Sequence, residues 1–114
     1  MPVAVKEERD LARELREDPT KIEVGMGASL HIMSDSYSYT IIEVARGGKL
    51  LTVQRDETRR DAVTGEQVIV RDHRGKVEKY SLRKNGRYSQ VGHEMAWYMS
   101  LTPGIRVEYR DMSR

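Results

Sequence analysis

The sequence has no cysteine, no phenylalanine and only one tryptophan among its 114 residues. The absence of cysteine excludes disulfides and thiolate metal ligands. No apolar run approaches the ~18 residues that a membrane-spanning helix requires, and the N-terminus lacks the long apolar core of a secretory signal. These absences predict a protein without a membrane segment, for which a cytoplasmic location is the simplest interpretation.

The lack of phenylalanine leaves six tyrosines to supply most of the aromatic surface. A chain of this length is the size of one domain and is long enough for one compact core. Some aromatic side chains must therefore fill that interior, and tyrosine is the residue available. The competing role for an exposed tyrosine is to stack on a base or another ring.

Charge is distributed unevenly along the chain, although the net charge is only +2. Residues 71–87 contain seven basic and two acidic side chains, a local net charge of +5. Such a segment permits an anionic partner. The alternative is a solvated hairpin whose charges provide solubility and protect a strand edge.

The N-terminal segment has the pattern of a short amphipathic helix. Apolar residues recur at near-helical spacing between Ala4 and Glu17, and the dipeptide Asp18-Pro19 ends the pattern. We therefore divide the chain into residues 1–19, an amphipathic helix or arm, and residues 20–114, a single antiparallel β domain. The sequence leaves open whether the helix packs on that domain.

Period-two alternation of apolar residues between turn signals predicts six to seven short strands. The predicted strands are Lys21–Met33 with a bend at its glycines, Thr40–Ala45, Leu50–Arg55, Gln67–Arg71, Val77–Arg83, Arg87–Val91 and Ile105–Tyr109. Tight turns are predicted at Arg46–Lys49 and at Asn85-Gly86, the latter as a two-residue hairpin turn. The predicted core comprises Leu30, Ile32, Val44, Leu51, Val53, Val68, Val70, Leu82, Ile105 and Val107.

The remaining segments are predicted as loops or irregular structure. Residues 34–39 are interpreted as a polar loop or a frayed strand end, residues 56–65 as a charged loop, and residues 92–101 as a short helical turn or irregular segment that plugs one end of the barrel. The fold class that follows is mainly β, a small antiparallel β-barrel or strongly bent sheet with a short N-terminal helix.

No catalytic or metal-binding constellation stands out. The three histidines are not paired at metal-site spacing, and no serine lies in a nucleophile elbow. The sequence therefore favours a non-enzymatic protein that needs no cofactor or metal.

Three groups of residues could build an anion site. Arg55 begins a charged loop after a strand, three cations surround the turn at Asn85-Gly86, and Arg106 and Arg110 lie on the polar face of the last predicted strand. The tyrosines of the predicted loop 34–39 could stack on the bases of such a ligand. Arginine suits phosphate because its planar fork donates two hydrogen bonds at once. The candidate ligand-binding residues are Asp35, Tyr37, Tyr39, Arg55, Arg83, Lys84 and Arg87.

Two functions from different classes follow from these features. The first is a small binder of an anionic nucleotide or nucleic acid, whose site combines the basic hairpin with the tyrosine loop. The second is a structural or protein-interaction module whose partner is another protein or a second copy of the chain.

The segments GMGASLHIMSDSYSYTIIEV, VQRDE, SLRKNGRYSQVG and GIRVEYRD span most of residues 24–111. In order and content they resemble a group of small phage or prophage proteins without established function. That resemblance implies a viral origin, and it supplies no catalytic residues. If the chain is phage-encoded, its location is the host cytoplasm, and the nucleotide or nucleic-acid binding of the first hypothesis could act against host defence. Residues 22–55 also resemble the opening of a Src-homology-3-like barrel, in the order of strand, long loop and glycine-linked hairpin.

Overall fold

The structure, a computed structural model, describes residues 6–93 and 97–109. Its elements are the helix α1 (Lys6–Glu17) and the strands β1 (Gly27–Ile32), β2 (Asp35–Ala45), β3 (Leu50–Arg55), β4 (Glu57–Arg60), β5 (Gln67–Val70), β6 (Val77–Leu82), β7 (Tyr88–Gln90) and β8 (Met99–Pro103). Six strands form a closed antiparallel barrel in the order β1-β2-β3-β6-β7-β8, and β8 pairs back onto β1. The predicted fold class is therefore confirmed.

The barrel interior is filled by aliphatic residues and tyrosines. Tyr39, Tyr80 and Tyr88 are buried in the same cluster as Ile41 and Leu51. The tyrosines thus take the place that phenylalanine holds in other cores, as its absence from the sequence predicted. Of the predicted core, Leu30, Leu51 and Val53 are buried, and Ile32, Val44 and Leu82 pack partly buried against them.

The remaining predicted core residues lie outside that cluster. Val68 is 41% exposed, because β5 pairs with β4 in a separate two-stranded sheet instead of joining the barrel. Val70, on the same strand, is half-buried. Residues 57–60, predicted as part of a charged loop, form β4 and supply the partner strand.

Of the two interpretations of residues 34–39, a polar loop or a frayed strand end, the loop is wrong. β2 begins at Asp35, and Ile32 pairs directly with Asp35 across a two-residue turn. Met33 takes a left-handed conformation in that turn, with φ at 56°. Ser36 and Ser38 are therefore strand residues, Ser34 lies in the turn, and Tyr37 and Tyr39 are held in the barrel wall.

The barrel closes through a different strand from the one predicted. β8 lies at Met99–Pro103 and pairs with β1 and β7, whereas residues 105–109 run across the outside of β1 and β2. Ile105 and Val107 are consequently half-buried instead of belonging to the core. The predicted plug at 92–101 is also wrong in its described part, because Trp97 is 79% exposed; residues 94–96 lie outside the described residues.

The helix α1 packs on the barrel. Its residues Ala12 and Leu15 are buried, and Leu15 belongs to the main core cluster. Gly104, just after β8, permits this approach, because a Cβ atom there would lie 3.1 Å from Cα of Ala12. The helix is therefore docked, which settles a question that the sequence left open.

The turn between β6 and β7 has three residues, 84–86, instead of the predicted two. The Arg83 N–H donates to the Arg87 carbonyl (2.8 Å), and the Gly86 N–H donates to the Arg83 carbonyl (2.9 Å). Gly86 has the predicted positive φ, at 82°. This pattern is a type I turn followed by a left-handed glycine.

Substitution of Gly86 by valine is expected to lower the free energy of unfolding by about 1 kcal/mol or more, since β-branched residues tolerate positive φ badly. No atom lies within 4 Å of a Cβ placed there, so the effect comes from the backbone alone. The measurement is chemical denaturation of Gly86→Val beside Gly86→Asn, a residue that tolerates this region. Equal stability of the valine variant and wild type would contradict the assigned turn.

Candidate functional site

The structure brings together four of the seven predicted site residues at one mouth of the barrel. The Arg55 guanidinium lies over the ring of Tyr37 at 5.3 Å and over the ring of Tyr39 at 5.8 Å from the ring centroids. The Tyr37 hydroxyl donates to Asp35 at 3.3 Å. These residues meet because Tyr39 and Arg55 are direct partners in the β2–β3 register.

Arg55 is already engaged within the protein. Its Nη2 forms an ion pair with Glu108 at 2.8 Å, and its Nη1 donates to the carbonyls of Ser38 and Asp56 at 3.0 Å each. Tyr39 is buried, so its ring is not a surface on which a base can stack. This cluster therefore ties the end of β3 to the C-terminal segment, and it has little capacity left for an external phosphate.

An open cleft of about 350 Å³ lies beside this cluster, and we call it the tyrosine cleft. Its floor carries the carboxylate of Glu78, which accepts a hydrogen bond from the Tyr80 hydroxyl at 2.7 Å and lies 3.4 Å from Lys76 Nζ. A carboxylate at this position opposes the binding of anions. The other lining residues are Leu30, Ile32, Tyr37, Tyr39, Arg55, Gln90, His93 and Met99.

The buried tyrosines have raised pKa values. Burial, followed by the charge of Glu78, raises the pKa of Tyr39, and burial with the hydrogen bond to Glu78 raises the pKa of Tyr80. Burial raises the pKa of Tyr88 to about 12. All three phenols are thus held in the neutral form well above the pKa of about 10 that an unfolded tyrosine has.

The protein is expected to lose stability as the pH rises above about 10. The unfolded chain releases its tyrosine protons near that pH while the folded chain retains them, so the free energy of unfolding falls with each further increase. We expect tyrosinate absorbance to appear together with loss of the β circular-dichroism signal in an alkaline titration. Ionisation of all six tyrosines in a folded protein near pH 10 would contradict the burial of these three.

A second cluster is buried under the C-terminal segment, on the outer face of β1 and β2. The Asp56 carboxylate accepts hydrogen bonds from the hydroxyls of Ser38 and Thr40, both at 2.6 Å, and pairs with Arg106 Nε at 3.1 Å. The Ser29 hydroxyl bonds the backbone of the same segment at Ile105 and Val107. This polar cluster fastens residues 105–109 to the barrel.

A third polar contact joins two side chains of the β1–β2 hairpin. His31 Nδ1 lies 2.9 Å from Ser36 Oγ, but Ser36 is only 2% exposed, and burial lowers the pKa of His31. A serine so deeply buried cannot reach a substrate. Among residues 6–93 and 97–109, no three histidine, aspartate or glutamate side chains are grouped so that they could hold a metal ion.

The other three predicted residues, Arg83, Lys84 and Arg87, lie in the β6–β7 turn. This turn adjoins the β2–β3 turn, because the Leu82 N–H donates to the Lys49 carbonyl at 2.8 Å. Together the turns 46–49 and 83–87, which we call the cationic end, contain five cations and no carboxylate. Within the described part of the chain, none of these five side chains forms an ion pair.

The cationic end and the tyrosine cleft are far apart. Leu50 pairs with Ser81 beside the cationic end, whereas Arg55 is the last residue of the six in β3. At ~3.3 Å per residue, the two ends of this strand are roughly 17 Å apart. The two parts of the predicted site, the basic hairpin and the two tyrosines, therefore lie at opposite ends of β3 and do not form one compact site.

Sequence reasoning missed the carboxylates that determine which cations are available. Glu78, Glu108 and Asp56 each bind a cation or a phenol near the tyrosine cleft and under the C-terminal segment. The sequence contains one signal for this, because Arg55 and Asp56 are adjacent at the end of β3. Adjacent side chains of an extended chain point to opposite faces, so each of these charges meets different neighbours. Arg106, which the sequence places on a polar face, is held by Asp56, and Arg110 lies outside the described residues.

No helix in the described ranges has the length and apolar character needed to cross a membrane. The chain matches no family model, and neither a curated protein nor a solved structure is similar to it.

Proposed function

We propose that the protein is a non-enzymatic small β-barrel that binds the phosphate groups of a nucleotide or nucleic acid at its cationic end. The observation that carries this proposal is the set of five exposed cations on two adjoining turns, with neither a carboxylate nor an ion pair among them. They are Arg46, Lys49, Arg83, Lys84 and Arg87.

The contrast with the other arginines of the barrel supports this choice. Arg55 and Arg106 are each paired with a carboxylate and bonded to neighbouring oxygens, so their charge is neutralised within the fold. At the cationic end the charge is neutralised only by solvent ions. A phosphate bound there would release those ions, which makes the affinity fall steeply with salt.

The shape of the cationic end favours a ligand with extended charge. Arg83 and Lys84 line a shallow groove of about 510 Å³, with Leu82 and Asn85 beside them. Two backbone hydrogen bonds between Arg83, Gly86 and Arg87 close the turn, and its exposed side chains can follow a phosphate chain. Contacts of this kind position a nucleic acid without reading its sequence.

The double substitution Arg83→Ala/Arg87→Ala is expected to weaken binding of a fluorescent DNA oligonucleotide by about tenfold or more at low salt, as two lost phosphate contacts imply. The slope of log affinity against log salt should fall by about 1.8 for duplex DNA. Fluorescence anisotropy over a salt series measures both quantities. Surface arginines contribute little to stability, so the melting temperature should not change.

The matched control is Arg74→Ala/Lys79→Ala, which removes the same charge from two exposed positions outside the cationic end that form no ion pair among the described residues. We expect it to reduce the affinity much less. An equal reduction in both double variants would show that net charge alone attracts the ligand. If the wild-type protein binds neither DNA, RNA nor nucleotides at low salt, the proposed function fails.

The resemblance to small phage proteins suggests a setting for this activity. An anion-binding barrel made in an infected cell would meet host nucleic acids and nucleotide signals, and capture of either one acts against host defence. We include counter-defence in the proposal on that basis. Its direct test is the recovery of nucleotides or nucleic acid with the protein from the host cytoplasm.

The alternative function is a protein-interaction module, and one observation favours it. Trp97 and Met33 are more than two thirds exposed, and Tyr98 lies between them, with its ring 5.9 Å from that of Trp97 and its carbonyl bonded to the Met33 N–H. Exposed aromatic side chains grouped in this way are typical of interfaces. Self-association of the wild-type chain, lost in Trp97→Ala and accompanied by no binding to nucleic acid, would favour this function.

A further inference from the structure

A pocket of about 240 Å³ lies between α1 and the barrel, next to the cationic end. Ala12 and Leu15 form its wall on the helix, and the other wall comes from β7, β8 and the β6–β7 turn. We call it the helix pocket. The residues that complete its lining are Arg16, Pro19, Leu82, Gly86, Arg87, Tyr88, Ser100, Leu101, Thr102 and Pro103.

The lining combines three kinds of chemistry. The walls are mainly aliphatic, and two hydroxyls, those of Ser100 and Thr102, have no hydrogen-bond partner among the described residues. Arg16 and Arg87 are exposed and therefore lie on the solvent side. None of the residues that line the pocket carries a carboxylate.

The volume limits what the pocket can hold. Sites for whole small molecules measure roughly 300–1,000 Å³, so this pocket accommodates one ring system with the rest of the ligand outside. The part outside would lie against Arg16 and Arg87, and Arg87 also belongs to the cationic end. The ligand that fits is therefore a flat, uncharged group attached to an anion.

We propose that the helix pocket receives one unpaired nucleobase whose phosphate is held at Arg87 and Arg16. This inference rests on the proposed function and narrows it. Apolar walls accommodate the faces of a base, and the hydroxyls of Ser100 and Thr102 can donate to or accept from its edge. Because the bases of a duplex are already paired and stacked, the ligand is a single strand or a free nucleotide.

The first experiment compares wild-type affinity for a single-stranded oligonucleotide and for the duplex of the same length at the same salt. A site that contacts only phosphates binds the duplex at least as well, since its charge density is higher. We expect the single strand to bind about tenfold more tightly, the factor to which 1.4 kcal/mol of base burial corresponds. A thermal shift with adenosine monophosphate then distinguishes a free nucleotide from a strand that needs several phosphates.

The second experiment fills the pocket without changing its charge. Ser100→Met places a longer side chain in the pocket, and Ser89→Met makes the same change at a half-buried strand residue that does not line it. We expect Ser100→Met to lose the preference for single strands and to retain duplex binding, and Ser89→Met to behave as wild type. A melting temperature for each variant shows whether it folds. If Ser100→Met does not fold, the wild-type comparison of single strand and duplex is the test of the pocket.

The outcomes separate this inference from the function on which it rests. Equal or tighter binding of the duplex, or a single-strand preference that survives Ser100→Met, overturns the base pocket and leaves the phosphate site in place. If no nucleic acid or nucleotide binds at low salt, both proposals fail together.

Discussion

Replacement of Asp56 by alanine is expected to lower the free energy of unfolding by about 3–5 kcal/mol, the usual effect of removing one partner of a buried ion pair. The Asp56 side chain is only 1% exposed, and its two oxygens receive three hydrogen bonds, from Ser38, Thr40 and Arg106. Without the carboxylate, two buried hydroxyls and a partly buried guanidinium lose their partner. The C-terminal segment that Arg106 anchors should then detach first.

The next residue provides the control for this prediction. Glu57 is an exposed carboxylate that pairs with Arg59 at 3.1 Å, and exposed pairs of this kind contribute roughly 0–1 kcal/mol. Chemical denaturation of Asp56→Ala, Glu57→Ala and wild type measures the difference. Faster amide hydrogen exchange at residues 105–109 in Asp56→Ala would show that the lost stability lies in this segment. Similar stability of the two variants would show that the polar cluster does not hold this segment.

Replacement of Gly48 by alanine is expected to destabilise the protein by about 3 kcal/mol or more, through left-handed strain and overpacking together. Gly48 has a φ of 90°, and a Cβ atom there would lie 2.0 Å from the carbonyl oxygen of Pro19. Neither group can move easily, since Gly48 is in the β2–β3 turn and its carbonyl accepts the buried Tyr88 hydroxyl. The clash therefore falls on backbone atoms that join the helix to the barrel.

Gly47 separates the two causes. Its φ is also positive, at 65°, but a Cβ atom there would meet only Thr20 Cγ2 at 3.8 Å. Gly47→Ala should therefore cost about 1–2 kcal/mol, the contribution of the backbone conformation alone. Thermal denaturation of both variants gives the contribution of the Pro19 contact by difference. If Gly48→Ala is no less stable than Gly47→Ala, the close approach of these segments is wrong.

The local sequence predicted the strands and turns that pair with a neighbour in the chain. Residues 40–45 are rich in β-branched side chains, Leu51 and Val53 share one face of the next strand, and a glycine turn joins the two segments. The structure contains this hairpin as predicted, with an irregularity in its register between Ile41 and Glu43. The positive φ of Gly86 was equally predictable, because the conformation of a turn depends on its own few residues. Local rules suffice where the partner strand is a neighbour in the chain.

The start of β2 could not be predicted in this way. Its residues Asp35, Ser36 and Ser38 are of types that favour turns, because their side chains can bond to the nearby backbone. Ser36 and Ser38 are strand residues because the segment 105–109, some 70 positions away, covers their outer face and supplies hydrogen bonds. A pattern along the chain cannot show which distant segment satisfies a polar group.

Only part of the candidate site could be predicted from the sequence, again because distant segments meet in the fold. The cations at 46–49 and 83–87 are exposed turn residues, and their availability follows from a sequence in which no carboxylate is adjacent. Arg55 is followed directly by Asp56 and Glu57, yet the carboxylate that pairs with it is Glu108, from a distant segment. Whether an arginine is free to bind a ligand depends on its neighbours in space.

The sequence by itself determined the fold class of this protein, the use of tyrosine in its core and the presence of a basic hairpin. These depend on composition, alternation and turn residues, which act over a few positions. Only the tertiary structure decided how the barrel closes, which charges are neutralised and that the basic hairpin stands beside a pocket under α1. Those features arise where distant segments meet, since burial and ion pairing depend on distances that the order of residues does not specify.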